Sequence, residues 1–315
     1  MPHRWPVRAI LGAVLGLSLI GSACGSSGGG SPSGGSVASQ MVLGGPPECP
    51  KRPFCEQGLE KVYGVKFKGF RALDAGGPLT KAALKRGDIN IGLIFSSDSS
   101  ISVDNFVVLQ DDKHLQNADD VVPVVRKSAA KSDVVSALNN VSSKLTTTDL
   151  IDMNKKADVD REDPSAIASS WLGSKGISTS SSGASKGTLK VGGFNFSESS
   201  ILAQIYAQAL KGAGYNVTLR LNLGSREVVA PALERGDIDL YPGYAATELE
   251  FFDGGKGLAT PNATETVSKL NSQISSKNLQ ALDPSSALDT NAFAVTKATA
   301  DKYHISKLSD LSKNT

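Results

Sequence analysis

ALERGDIDLYPGY, residues 232–244, is answered by ALKRGDINIGLIF at residues 83–95. Both carry AL-x-RGDI, and both set an aromatic residue seven positions after the Asp, Phe95 after Asp88 and Tyr244 after Asp237. Upstream, VLGG at 42–45 matches KVGG at 190–193. The two copies keep one offset, 148 residues between Gly45 and Gly193 and 149 between Asp88 and Asp237. That period is too long for a solenoid, whose units run to about 20–50 residues. It suits two similar lobes.

Each copy predicts the same unit. In the second, 188–191 is a short apolar strand followed by a Gly192–Gly193 turn. Ser197 is placed to cap a helix with Ile201, Leu202, Ile205, Ala209 and Leu210 at helical spacing, closed by Gly212 and Gly214. Residues 217–223 alternate as a strand, 226–235 are helical, Gly236 ends that helix, and a third strand begins at 238. A βαβαβ order requires a parallel sheet with right-handed crossovers. The fold class is therefore α/β, and ligands of such sheets sit beyond the carboxyl ends of the strands. Two lobes facing each other would make a cleft with one aromatic from each wall.

Composition narrows the function. The chain has 315 residues, 40% of them hydrophobic, with a formal net charge of +2. That is ample for two domains and gives no argument for nucleic acid. Residues 1–24 read as an address: Arg4 and Arg8, an apolar run over 9–20, then small residues before Cys24. The run is shorter than the ~20 residues a bilayer needs. The end, Ile20-Gly-Ser-Ala-Cys24, resembles a bacterial lipoprotein signal, with Gly21 where Leu is usual; an ordinary secretory signal cut near Ala23 is the alternative. Either places the protein outside the cytoplasm, lipid-anchored on the outer face of the membrane or released. With Cys24 set aside, Cys49 and Cys55 remain, and in an oxidising compartment a short disulfide loop is their expected state. A metal site is not expected, since His3, His114 and His304 do not cluster with them.

Residues 25–40 form a Gly/Ser/Pro tether and 173–187 a second flexible linker. The first lobe is expected at 41–97 plus 293–315 and the second at 99–292, with Pro123 putting strand 121–126 at an edge or bulge. The chain stops after a helix that calls for a following strand.

The phrases VGGFNFSESSILAQIYAQAL, LGSREVVAPALERGDIDLYPGY, NAFAVTKATADKY, KRPFCEQGLEKVYG, GDINIGLIFSSD and LQDDKHLQNADDVVPVVR cover nearly everything after the tether. Together they resemble the substrate-binding proteins of ABC importers for glycine betaine, choline and related osmoprotectants, the OpuAC-like group. The resemblance implies a two-lobed periplasmic-binding-protein fold of type II, a hinge near 97–99 and 289–293, no cofactor, and an ABC permease with its ATPase as partners of a monomeric protein. It also implies a change of order. Family members begin with the equivalent of 188–315 and continue into that of 41–172, so this chain reads as circularly permuted, with 173–187 joining the usual termini and strand 41–43 supplying the missing strand.

Quaternary ammonium ligands have no N–H to donate and are held against aromatic faces. Carried over position by position, the resemblance puts Tyr244 and Phe95 on cage aromatics, Thr247 on a residue holding the ligand's polar end, and Arg52 on a carboxylate-pairing Arg. Asp289 falls on a polar residue of the hinge; Asn291 and Asp119 stand where aromatics are common; Phe194 stands where a polar or basic residue is usual. The thinned cage and the nearby Asp119 and Asp120 leave room for another small cation or zwitterion. An extracytoplasmic enzyme on the same fold would need a nucleophile with its base, or a metal, and no such set is visible. A sensor without a permease would look the same.

Overall fold

The computed structural model describes residues 35–47, 49–74, 76–224 and 226–314. The leader with Cys24, and the tether up to residue 34, lie outside the described residues.

Ten strands follow in chain order: β1 (Val42–Gly45), β2 (Gly69–Ala72), β3 (Ile91–Phe95), β4 (Phe106–Val108), β5 (Val121–Arg126), β6 (Thr188–Gly192), β7 (Asn216–Arg220), β8 (Leu240–Tyr244), β9 (Leu279–Ala281) and β10 (Asn291–Thr296). They form two five-stranded sheets, ordered β2-β1-β3-β10-β4 and β7-β6-β8-β5-β9. In each, three strands of one repeat run parallel, and the third is flanked by an antiparallel strand, β10 or β5. The repeated sequence is thus a repeated topology.

The shared phrase has a physical reason at each position. Gly87 and Gly236 end their helices at φ 77° and 80°, a left-handed conformation that Cβ disfavours. The following Ile89 and Ile238 pack onto the first strand so closely that a Cβ on Gly44 or Gly192 would lie 2.5 Å from their Cδ1. One residue on, Asn90 accepts the Val42 N–H at 2.8 Å and Asp239 accepts the Lys190 N–H at 2.8 Å. These contacts seat the RGDI turn on the glycine strand.

Several expectations need correction. β4 pairs with β10 in the first sheet, so the first lobe keeps residues up to 108 that were assigned to the second. A three-residue apolar run reads alike in either lobe; only β10's second edge, open to a partner, decides it. The chain crosses near 116–120 and returns near 286–290, where Asp120 bridges Leu288 and the Asp289 N–H donates to the Asp119 carbonyl at 3.2 Å. Pro123 is not at an edge: β5 lies between β8 and β9, and Pro123 faces Pro242. Two prolines can face each other only as a pair that exchanges no backbone hydrogen bond. Ser197 does not cap its helix. Phe196 occupies that position, and the Ser197 hydroxyl donates to Asp158 at 2.7 Å instead. The 175–187 segment carries no helix or strand, yet Ile177 is buried and Lys186 pairs with Asp133 at 2.8 Å.

The second lobe is built round helix Ser197–Gly212, whose Ile201, Leu202, Ile205, Tyr206 and Leu210 are fully buried among strands and flanking helices. The first lobe has a smaller core, with Met41, Leu43, Leu59 and Phe293 on one face of its sheet. There, Cys49 and Cys55 form a disulfide with Cα atoms 5.2 Å apart, both sulfurs buried against that core. Closing so short a loop stabilises by about 2 kcal/mol in the chain-entropy account. The paired Cys49→Ala, Cys55→Ala variant is therefore expected to unfold at lower urea, by about that free energy, and the wild type to move to the same midpoint in reductant; equal midpoints would show the loop holds itself.

Candidate functional site

The carboxyl ends of β3 and β8 meet the crossing segments. Antiparallel pairing sets Asn291 across from Phe95 and Val121 across from Tyr244. Ser96 continues the seam: its N–H donates to the Thr290 carbonyl at 2.9 Å, its hydroxyl donates to the Leu288 carbonyl at 2.8 Å, and it accepts the Thr290 N–H at 2.9 Å.

Two cavities flank Phe95 and Asp289. The first, about 170 Å³, is lined by both lobes: Phe54 and Phe95 from one, Thr247 and Glu250 from the other, with Asp119, Asp289 and Asn291 from the crossings. Five of the eight expected ligand residues, Phe95, Asp119, Thr247, Asp289 and Asn291, thus line one cavity. The other three do not. Tyr244 is buried, and its hydroxyl donates to Glu198 Oε1 at 2.6 Å. Arg52 is exposed on the disulfide loop, and Phe54 is the residue of that loop that reaches the cavity. Phe194 is core. It stacks on Phe196 at 5.7 Å, meets Tyr241 edge-on at 5.4 Å, and lies 5.2 Å beneath the Arg226 guanidinium. The exposed ring belongs to Phe196, two residues later.

The second cavity, about 330 Å³, shares Phe95 and Asp289 with the first and is lined also by Ser97, Asn154, Phe196 and Glu198. Its chemistry is acidic. Glu198 is 6% exposed and takes bonds from Tyr244 and from Asn154 Nδ2, the latter at 2.5 Å. Ser97 donates its hydroxyl to Asp289 at 2.7 Å, and Lys81 pairs with Asp98 at 2.7 Å.

Gathering carboxylates in one enclosed seam raises their proton affinity. Burial pushes Asp119 up to about 6, against the pull of Thr247, which donates to it from both its N–H and its hydroxyl. Asp120 also rises to about 6, through burial and then the charge of Asp119. Glu198 rises through burial, and Asp289 well above the usual range through burial and then the charge of Glu198. A positive charge in these cavities would relieve Asp119, Asp289 and Glu198, which line them; Asp120 lines neither.

Glu198 and Asn154 were not expected at the site. A Glu in the first turn of a helix ordinarily faces solvent and complements the helix dipole, and Asn154 comes from the distant helix Thr147–Asp158. The available signal was the string FNFSES itself, where a carboxylate follows two aromatics at the carboxyl end of a repeat strand.

Comparison with known proteins agrees with this architecture. The family described as the substrate binding domain of the ABC-type glycine betaine transport system matches residues 35–174 and 187–315. The glycine betaine-binding protein YehZ of Escherichia coli is 32% identical over 126 residues, 40% of this chain and 41% of its own length. The carnitine transport binding protein OpuCC of Listeria monocytogenes is 26% identical over 116 residues, 36% of this chain and 37% of its own. The match thus spans about two fifths of these curated relatives. Among solved structures, the periplasmic aliphatic sulphonate binding protein SsuA of Escherichia coli aligns with a TM-score of 0.40 at 14% identity, over 84% of this chain and 63% of its own. With nearly all of its described length matched in those two segments, the chain belongs to the family of substrate-binding domains of ABC-type glycine betaine transport systems.

Proposed function

We propose that this protein captures a small quaternary ammonium osmoprotectant, of the glycine betaine or choline kind, between its lobes and delivers it to an ABC permease and its ATPase. The observation that carries the reading is the 170 Å³ cavity on which Phe95, Asp119, Thr247, Asp289 and Asn291 converge. A trimethylammonium group has no N–H, so attraction must come from a ring face and from nearby negative charge. Phe95 offers the first, and Asp119 and Asp289 the second. Hinge bending about the paired crossing segments would open and close the cleft. The role is binding rather than catalysis, and the protein works outside the cytoplasm, held by a lipid on Cys24.

We also propose that the chain is circularly permuted. Its two family segments meet in the fold where the Val37 N–H donates to the Lys313 carbonyl at 2.9 Å, and Val37, Ala38 and Met41 share one core with Leu308 and Leu311. A gene reordered to run 187–315 and then 35–174 is expected to give a folded protein of unchanged ligand affinity. A folded but non-binding product would end the idea.

Titration calorimetry of the full chain with glycine betaine, choline and carnitine tests the ligand. Binding of at least one is expected, weakened about tenfold by Phe95→Ala, the worth of one desolvated cation–π contact. If none binds, the osmoprotectant reading goes. Affinity should rise as pH is raised through about 6, where Asp119, on the lining of that cavity, ionises and becomes a partner for the cation.

The free protein should behave in the opposite sense. Asp119 and Asp120 both hold their proton more tightly folded than unfolded, so what they contribute to stability is fully present below about pH 4 and is lost as pH rises through about 6. Urea midpoints at about pH 4.5 and about pH 7.5 should show this fall in the wild type and a smaller one in Asp120→Asn. An equal fall in both would remove Asp120 from the account.

A further inference from the structure

We infer that the 330 Å³ cavity is a second subsite, for an organic cation that donates N–H hydrogen bonds (a primary ammonium or guanidinium group), with Asn154, Glu198 and Asp289 as acceptors and Phe95 and Phe196 as flanking faces.

The argument begins at Asn154. Its Nδ2 donates to the Ser97 carbonyl at 3.0 Å and to Glu198 Oε2 at 2.5 Å. Turning the amide over would set oxygen against both acceptors, so its orientation is fixed by its neighbours. Its Oδ1 is then the atom left over. It is buried, has no hydrogen-bond partner among the described residues, and belongs to a side chain only 7% exposed that lines this cavity. Buried acceptors are seldom left so, and this one calls for a donor.

Charge names the donor. Glu198 has accepted one bond at each oxygen, leaving lone pairs on both. Asp289 and Asp158 stand on the same lining, and the lysine there, Lys81, is committed to Asp98. An anion has no place in this company. The amino end of helix Ser197–Gly212, where an anion would otherwise be welcome, is already served by the chain's own Glu198 and by Asp158 through Ser197. Phe95 and Phe196 are 38% and 43% exposed, and both line the cavity, where a planar or alkyl cation could lie against them. A trimethylammonium group satisfies none of the acceptors, because it carries no N–H. This subsite therefore selects for the hydrogens that the first cavity's proposed ligand lacks.

The test uses the full chain and one graded series: ethanolamine, its N-methyl and N,N-dimethyl derivatives, and choline, titrated calorimetrically with and without saturating glycine betaine. In the presence of saturating glycine betaine, ethanolamine is expected to bind most tightly, with affinity falling at each methyl and at least ~10-fold across the series. Asn154→Leu, which removes the acceptor, should weaken ethanolamine by ~10-fold more than it weakens glycine betaine, and Glu198→Gln should act in the same direction. Near-ultraviolet circular dichroism of each variant separates a lost subsite from a lost fold, and the wild-type series decides the matter if a variant does not fold. With the first cavity held by saturating glycine betaine, choline binding as tightly as ethanolamine, or no binding by ethanolamine, would overturn the subsite. Glycine betaine binding alone would remove the subsite and leave the importer reading in place; ethanolamine binding alone would do the reverse.

Discussion

The antiparallel strand beside the third strand of each repeat is the constraint from which the site follows. β10 pairs with β3 and β5 with β8, and each of these partners enters its sheet directly from a crossing between the lobes. The carboxyl ends of β3 and β8, where a parallel sheet exposes its ligand positions, are thereby pinned to the crossing segments. Phe95 faces Asn291 at the end of one ladder, Tyr244 faces Val121 at the end of the other, and Asp119, Asp120 and Asp289 fill the few residues between. No separate device is needed to bring these residues to the crossings. The hydrogen-bond register does it.

That placement has a thermodynamic cost. Asp119, Asp120, Glu198 and Asp289 crowd into an enclosed seam, and burial is the largest cause of each one's raised proton affinity. Their hydrogen bonds from Thr247, Ser97, Tyr244 and Asn154 offset part of it. An interior chosen for stability alone would hold apolar groups of the same size. Retaining four acids where two lobes meet makes the ligand-free seam costly, a cost that the cation proposed above would relieve.

Much of the fold was legible because the repeat carried its own check. A period of nearly constant length, with RGDI twice and Gly-Gly twice, can only be satisfied by two similar βαβαβ units, and Ile89 against Gly44 repeats as Ile238 against Gly192. What lay between the repeats was harder. β4 is three residues long, and its membership depends on an edge created by β10, nearly two hundred residues later. Site residues divided the same way. Those tied to strand ends and crossings, Phe95, Thr247, Asp119, Asp289 and Asn291, line one cavity. Phe194 failed because it and Phe196 cannot be told apart by residue type; only the position of Arg226 and Tyr241 around Phe194 makes it core. Asn154 was invisible, since nothing in a helix of mixed polar residues announces which amide will meet a carboxylate from another helix.

The two lobes share a phrase but not a wall, and the difference explains the charge asymmetry of the cleft. After β6 the second lobe runs into the sixteen-residue helix Ser197–Gly212, whose first turn carries Glu198 to the seam. After β1 the first lobe has instead the Cys49–Cys55 loop and a short, partly π-helical segment ending at Tyr63. A disulfide loop of that size can present a ring, Phe54, and a cation, Arg52, but it has no buried helical turn on which to hold a carboxylate away from water. The acid therefore comes from the second lobe, and it decides the fate of the two equivalent aromatics. Tyr244 has a hydroxyl that Glu198 accepts, so it is drawn 95% out of solvent behind the cavities. Phe95 has none, and it stays at the surface that both cavities share. Whatever fills one cavity thus rests on a ring and a carboxylate, Phe95 and Asp289, that also wall the other.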